Sequence, residues 1–346
     1  MSSYKIALIK GDGIGPELTE TALKVLDAVQ KRFSLGLNII EVEAGDECFK
    51  SRGVALPQDT VEIIKSSHAC LKGPVGETAA DVIVKLRLMF DLYANIRPVK
   101  AYPSVPCARP DIDFVFVREN TEDVYRGLEC TLNPDTAICL RVITKKGSER
   151  IAKKAFELAR RRNKKKRVTA VHKANVMKIT CGLFAQTCRK VARKYPDITY
   201  DEQYVDATAM RIIKEPQNFD VIVTTNLFGD ILSDEAAQLV GGLGMAPGAN
   251  IGDNFALFEP VHGSAPTRAG KHTANPCSMI LAAKMMLDWL GEQHNDSKCL
   301  AAAEAMEEGV VATLRKGITV PDFGGKAKTV EIGEAIAEEV MKRTVT

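Results

Sequence analysis

Asp230 and Asp234 stand four residues apart in the string Asn226-Leu-Phe-Gly-Asp-Ile-Leu-Ser-Asp-Glu235. On a helix that spacing puts both carboxylates on one face with Cβ atoms roughly 5–6 Å apart, close enough to repel unless something offsets them. A divalent cation with oxygen-only coordination would do so. A solvated acidic face at a helix start, where the macrodipole favours aspartate, explains the same spacing. Arg87, Arg97 and Arg118 form a second set, suited to a multiply charged anion, and Tyr125 and Lys173 lie in strings close to them. Taken singly, each arginine is equally at home in a surface ion pair.

These groups need elements to position them. The β-branched run Asp220-Val-Ile-Val-Thr-Thr225 predicts a buried strand. The aspartate pair therefore opens a helix just past a strand's carboxyl end, where open α/β sheets hold ligands. Further strands are expected at Lys5 to Ile9, Leu37 to Glu43, Ala69 to Leu71, Phe114 to Arg118 and Arg167 to His172. Helices are expected at Leu18 to Phe33, Asp59 to Ser66, Thr78 to Phe90, Ser148 to Arg162, Lys178 to Lys194, Thr273 to Leu290 and Ala301 to Lys316. The alternation predicts an α/β fold with largely parallel strands. Cys130 to Val142 suits an exposed hairpin or an oligomer arm. Gly11-Asp-Gly-Ile-Gly-Pro16 is not a dinucleotide fingerprint, because Pro16 takes the place of a glycine and the spacing is wrong. A tight turn explains its glycines.

Composition narrows the classes. The 346 residues include 47 basic and 44 acidic side chains, a near balance that favours neither nucleic acid nor a membrane surface as partner. The basic run Arg160 to Arg167 closes a helix, where cations suit the dipole, and has no aromatics between its charges for stacking bases. No run approaches the roughly 18 apolar residues of a membrane span. Nine scattered cysteines without a C-x-x-C pair fit reduced thiols, and a cytoplasmic protein is expected.

Taken together, the strings resemble the β-decarboxylating dehydrogenases of the isocitrate, homoisocitrate and 3-isopropylmalate group. The matching strings are Gly11 to Pro16, Leu92-Tyr-Ala-Asn-Ile-Arg-Pro98, Val117-Arg-Glu-Asn-Thr-Glu-Asp-Val-Tyr125 and His172-Lys-Ala-Asn-Val-Met-Lys178. Tyr204 to Met210, Asn226 to Asp234, Phe258-Glu-Pro-Val-His-Gly-Ser-Ala-Pro266 and Pro321-Asp-Phe-Gly-Gly325 continue them in collinear order. The resemblance implies a two-domain α/β fold of non-Rossmann type. One domain, residues 1–93 plus 242–346, would bind the cofactor. The other, residues 94–241, would carry catalysis, dimerisation and a clasp exchanged between two subunits.

It further implies that Arg87, Arg97 and Arg118 hold substrate carboxylates. Asp230 and Asp234 would hold Mg²⁺ or Mn²⁺ together with Asp206 of a second subunit, whose Lys173 would handle protons with Tyr125. A lysine whose pKa is lowered by burial and neighbouring cations assists removal of the hydroxyl proton while hydride leaves for the nicotinamide. The metal stabilises the enolate left by carbon dioxide, and Tyr125 returns a proton to carbon. His262, Gly263, Ser264, Ala265 and Asn275 would bind the cofactor. Thr267 and Arg268 stand where NAD-specific members carry Asp and Ile, so the acid that repels a 2′-phosphate is missing, and both NAD and NADP remain open.

Substrates of this family share a malate core and differ at the γ substituent, which faces the turn before Arg87. Ile83 and Val84 give that turn an apolar wall where isocitrate enzymes offer Ser and Asn. Burying a third carboxylate there unpaired costs several kcal/mol, more than the roughly 1–3 kcal/mol of a methylene. The expected reaction is oxidative decarboxylation of 3-isopropylmalate in leucine biosynthesis, by a homodimer. Alternatives are isocitrate or homoisocitrate as substrate, or a noncatalytic regulatory subunit. The last is opposed by retention of the tyrosine, the lysine, the arginines and the aspartates.

Overall fold

The computed structural model describes residues 3–342. The first third of the chain gives β1 (Ser3–Ile9), α1 (Gly15–Phe33), β2 (Gly36–Val42), α2 (Asp46–Arg52), α3 (Gln58–Lys65), β3 (Ala69–Lys72), α4 (Lys85–Met89), β4 (Ala94–Lys100) and β5 (Asp113–Glu119). The centre adds β6 (Glu129–Asn133), β7 (Thr136–Cys139), α5 (Lys145–Arg162), β8 (Arg167–His172), α6 (Thr180–Ala192), β9 (Thr199–Tyr204), α7 (Val205–Lys214), β10 (Val221–Thr224) and α8 (Asn226–Gln238). The remainder holds β11 (Pro247–Ile251), β12 (Ala256–Pro260), α9 (Cys277–His294), α10 (Ser297–Arg315) and α11 (Thr329–Lys342).

Ten strands form one sheet in the order β2-β1-β3-β12-β11-β4-β5-β10-β8-β9. Its two ends are parallel, but its centre is not: β12–β11, β11–β4 and β4–β5 pair antiparallel. The sheet is thus largely parallel, as expected, with an antiparallel stretch in the middle. A short link such as residues 252–255 between β11 and β12 can only reverse the chain, because a parallel return needs a crossover of a dozen or more residues. The strands on the β2 side of the β11–β4 contact come from residues 3–72 and 247–260, and those on the other side from 94–224. β6 and β7 form a separate hairpin, exposed along its length, where a hairpin was expected.

The turn at Gly11 and Gly13 is steric in origin. Both have positive φ, and a Cβ would meet the Pro74 carbonyl oxygen at 2.0 Å or that of Ser264 at 2.1 Å. Two helices depart from expectation. α9 starts at Cys277 instead of Thr273, because Pro276 disfavours helical geometry in the residue before it. The segment expected as one helix from Thr78 is a π-helix over Ala80–Val84 that becomes α-helical only at Lys85. The β-branched run Val82-Ile83-Val84 crowds the preceding turn of an α-helix, and π-turns favour functional sites.

The basic block at the end of α5 is an ion-paired helix end. Arg160 meets Asp197 at 2.6 Å, and Arg162 meets Asp113 at 2.9 Å and Asp220 at 3.0 Å. No helix among the described residues is long and apolar enough to cross a membrane.

Candidate active site

β10 is buried at every position, and Thr225 turns the chain from it into α8. Leu232, Ser233, Ala236 and Ala237 bury one face of that helix, leaving the Asp230 and Asp234 side chains 35% and 49% exposed. Gly229 lets Arg118 pass beneath: a Cβ there would lie 2.6 Å from the Arg118 Cγ. Arg118 Nε donates to the Asn226 carbonyl and Oδ1, both at 3.0 Å, and its Nη1 pairs with Asp230. Arg97, from β4, donates to Ser233 Oγ at 2.8 Å and pairs with Asp230 and Asp234 at 3.2 Å each. Tyr125 donates its hydroxyl to Asp230 Oδ2 at 2.5 Å, and its ring lies 5.1 Å from the Arg118 guanidinium carbon.

The two aspartates titrate apart. Burial works to raise Asp230, but Arg118 and Arg97 outweigh it and hold the carboxyl below its ordinary range. At Asp234 burial prevails over Arg97 and the pKa is raised. Burial, and then the bond to Asp230, raise Tyr125, which keeps its proton and acts as a donor.

Arg87 reaches the same region from the helical segment before β4. Its Nε donates to Asn250 Oδ1 at 2.9 Å and its Nη2 to Glu259 Oε1 at 3.1 Å. Glu259 also binds Lys72 at 2.8 Å and Asn250 Nδ2 at 2.8 Å. Against strong burial, Lys72 and Arg87 pull its pKa down to about 2. Three buried arginines thus face three carboxylates, Asp230, Asp234 and Glu259. A cavity of ≈130 Å³ runs along this network, lined by Val75, Ala79, Ile83, Arg87, Arg97 and His262 among others. Ile83 is part of that wall. Val84 is not: it packs on the hydrophobic cluster beneath the π-helix, and Val75 and Ala79 complete the apolar side in its place.

Lys72, Glu259, Asn95, Asn226 and Asn250 escaped the sequence reading. A lysine ending the apolar strand β3 was the available signal for Lys72. Nothing local marks Asn250, which also accepts from Asn95 and Asn120 at 2.9 Å each.

The loop from His262 packs on the glycine turn, with the Ile14 amide donating to the Ser264 carbonyl at 2.9 Å. His262 lies 3.0 Å from Ser278 Oγ, and burial lowers its pKa, so the imidazole is neutral. Gly263 lines the ≈130 Å³ cavity. Ala265 takes a left-handed φ of 39° and leads into the 3₁₀ turn Pro266–Arg268, which contains Thr267. Arg268 pairs with Asp322 at 2.6 Å. Asp322 and Asn275 line a second cavity, of ≈540 Å³.

Lys173 and Asp206 form their own pair at 2.7 Å, where β8 ends and α7 begins. No cluster of three or more His, Cys, Asp and Glu fit for a metal occurs among the described residues. The chain thus gathers the residues into two groups: Tyr125, Asp230, Asp234 and the arginines in one, Lys173 and Asp206 in the other. Asp230 and Asp234 supply solvent-reachable oxygen donors one turn apart, a set that fits a hard divalent cation.

The family model described as isocitrate/isopropylmalate dehydrogenase matches residues 5–336. The chain belongs to this family. It is 52% identical over 340 residues to a 3-isopropylmalate dehydrogenase of Methanothermobacter thermautotrophicus, covering 98% of this chain and 99% of that one. It is 48% identical over 342 residues to an isocitrate/homoisocitrate dehydrogenase of Thermus thermophilus, covering 97% and 98%. The crystal structure of isocitrate dehydrogenase from Methylococcus capsulatus superposes with a TM-score of 0.91 at 43% identity, covering 98% of this chain and all of that one. An isocitrate/isopropylmalate dehydrogenase is a β-decarboxylating enzyme that uses a nicotinamide cofactor and a divalent metal.

Proposed function

We propose that the chain oxidises and decarboxylates 3-isopropylmalate to 4-methyl-2-oxopentanoate, a step of leucine biosynthesis. The observation that carries this is the cavity beside Arg87 and Arg97, whose γ side is Val75, Ala79 and Ile83. Arginines there are suited to the two malate carboxylates, and the apolar side to an isopropyl group. The 52% identity to a 3-isopropylmalate dehydrogenase supports the same reading. Replacing Ile83 with Asn is expected to shift the kcat/KM ratio toward isocitrate by about tenfold or more, the value of one gained hydrogen bond to a charged group. An unchanged ratio in a folded variant would remove Ile83 from substrate selection.

Asp230 and Asp234 would hold Mg²⁺ or Mn²⁺, which supplies a Lewis acid beside the substrate hydroxyl, and the nicotinamide supplies the hydride acceptor. His262, Gly263, Ser264, Ala265 and Asn275 would line the cofactor cleft, with Thr267 and Arg268 at its rim. NAD follows the family, while Arg268 in the absence of an acid at 267 suits NADP as well. Arg87, Arg97 and Arg118 bind and orient the substrate carboxylates.

Lys173 would remove the hydroxyl proton, and Tyr125 would protonate the enol carbon. Tyr125→Phe keeps the ring and loses the donor, so kcat is expected to fall about 100-fold. Single-turnover reduction of the cofactor should fall much less. Equal loss in both measurements would place Tyr125 before hydride transfer.

We also propose that Lys173 and Asp206 complete the site of a second subunit in a homodimer. The exposed β6–β7 hairpin suits a clasp, and Val176, Ile179, Met210, Ile213 and Ile231 leave a large apolar surface uncovered on the single chain. Residues 1–93 with 242–346, and 94–241, would be its two domains. The free cysteines among the described residues suit a reducing cytoplasm.

A further inference from the structure

Arg97 and Arg118 face the substrate side of the sheet. Along β4 and β5 side chains alternate between faces, so Pro98, Lys100 and Asp113 project from the opposite side. There a cavity of ≈210 Å³ opens, lined by Pro98, Lys100, Tyr102 and Asp113, by Arg162 and Lys164 at the end of α5, and by Met245, Pro247, Leu281, Lys284, Met285 and Glu307. None of these belongs to the site described above. The volume is below the roughly 300–1,000 Å³ of pockets for drug-sized ligands, which restricts an occupant to one small metabolite.

The lining has two characters. Met245, Leu281 and Met285, with Pro98 and Pro247, make an apolar portion, and methionine adapts its shape to aliphatic groups. The rest carries both signs of charge. Asp113 pairs with Arg162 at 2.9 Å and also with Lys164. Glu307 pairs with Lys100 at 2.5 Å and Lys284 at 2.9 Å, and the Tyr102 hydroxyl lies 3.3 Å from it. Behind the wall Arg162 also holds Asp220 at 3.0 Å and Lys284 holds Asp288 at 2.9 Å. The lining itself carries four cations and two carboxylates; Asp220 and Asp288 behind it offset Arg162 and Lys284, which leaves Lys100 and Lys164 balanced against Asp113 and Glu307. Lys164, Lys100 and Asp113 keep 48%, 40% and 28% of their side chains exposed. Pairs so exposed hold weakly and can exchange a partner for a ligand's charge.

A neutral ligand bearing both charges next to an aliphatic group matches all three features. We propose that this cavity binds an aliphatic α-amino acid. Its carboxylate meets Lys100 and Lys164, its ammonium meets Asp113 and Glu307, and its side chain lies on Met245, Leu281 and Met285.

The test uses the full-length protein with ¹³C-methyl methionine, the Met245 and Met285 signals being assigned by Met→Leu substitution. Titration with L-leucine is expected to shift both signals saturably and to leave the methionines outside the cavity unmoved. 4-Methylpentanoate, lacking the ammonium, and 3-methylbutylamine, lacking the carboxylate, are each expected to bind about tenfold more weakly or worse, since each loses charge-assisted bonds. Lys164→Glu, at an exposed helix end, and Met285→Trp, which fills the apolar portion, should abolish the shifts and retain wild-type turnover. If Met285→Trp does not fold, Lys164→Glu decides alone. Absent shifts at millimolar leucine, shifts unchanged in Lys164→Glu, or 4-methylpentanoate binding as tightly as leucine would each overturn the proposal.

Discussion

Asp230→Asn and Asp234→Asn are each expected to reduce turnover by about a thousandfold or more, since a metal's charge stabilisation amounts to several kcal/mol of barrier. The fold should survive. At 230 asparagine keeps one oxygen for Arg118 while its amide group can donate to the Tyr125 hydroxyl oxygen, Asn226 continues to hold the other Arg118 nitrogens, and repulsion between two carboxylates is relieved. Stability should therefore change by only about 1 kcal/mol. Circular dichroism, thermal unfolding and steady-state turnover at saturating Mg²⁺ test this together. Near-wild-type turnover by the wild-type chain after exhaustive chelation would remove the metal from the reaction.

Mixing inactive Lys173→Ala and Asp230→Asn subunits is expected to restore activity. Each variant alone should be nearly dead. In the proposed mixed dimer, the Asp230 and Tyr125 of one chain would meet the Lys173 and Asp206 of the other, so one intact site would form. Random pairing then returns roughly a quarter of wild-type activity, as expected for an isologous dimer with two shared sites. The observation behind this is that Lys173 pairs with Asp206 while Tyr125 bonds Asp230, in two distinct bonded groups. Confirmed subunit exchange with no recovered activity would place Lys173 outside the shared site.

What could be read in the sequence was local. The β-branched run before Asn226 announced β10, and two aspartates four apart announced the face of α8 that carries them. The glycines near residue 11 indicated a turn, and their contacts with Pro74 and Ser264 account for them. What stayed hidden was long-range. Arg87, Glu259, Asn250 and Lys72 meet across separations of up to 187 residues in the chain, and no periodicity reports such a meeting. The antiparallel centre was missed because β4, β11 and β12 lie between other strands and are buried almost throughout, so no alternating pattern marks them. Val84 was expected beside Ile83 because the resemblance turns this segment toward the ligand. In the π-turn Ile83 is buried and lines the cavity, whereas Val84 is partly buried and does not line it.

The substrate assignment rests on the apolar γ side of one small cavity, and steady-state kinetics of the purified wild-type chain with 3-isopropylmalate, isocitrate and homoisocitrate test it most directly. Each should be run with Mg²⁺ and with both NAD and NADP. The predicted result is a kcat/KM for 3-isopropylmalate at least about 100-fold above either tricarboxylate, because a third carboxylate would lie unpaired against Val75, Ala79 and Ile83. A higher kcat/KM for isocitrate or homoisocitrate would contradict the assignment.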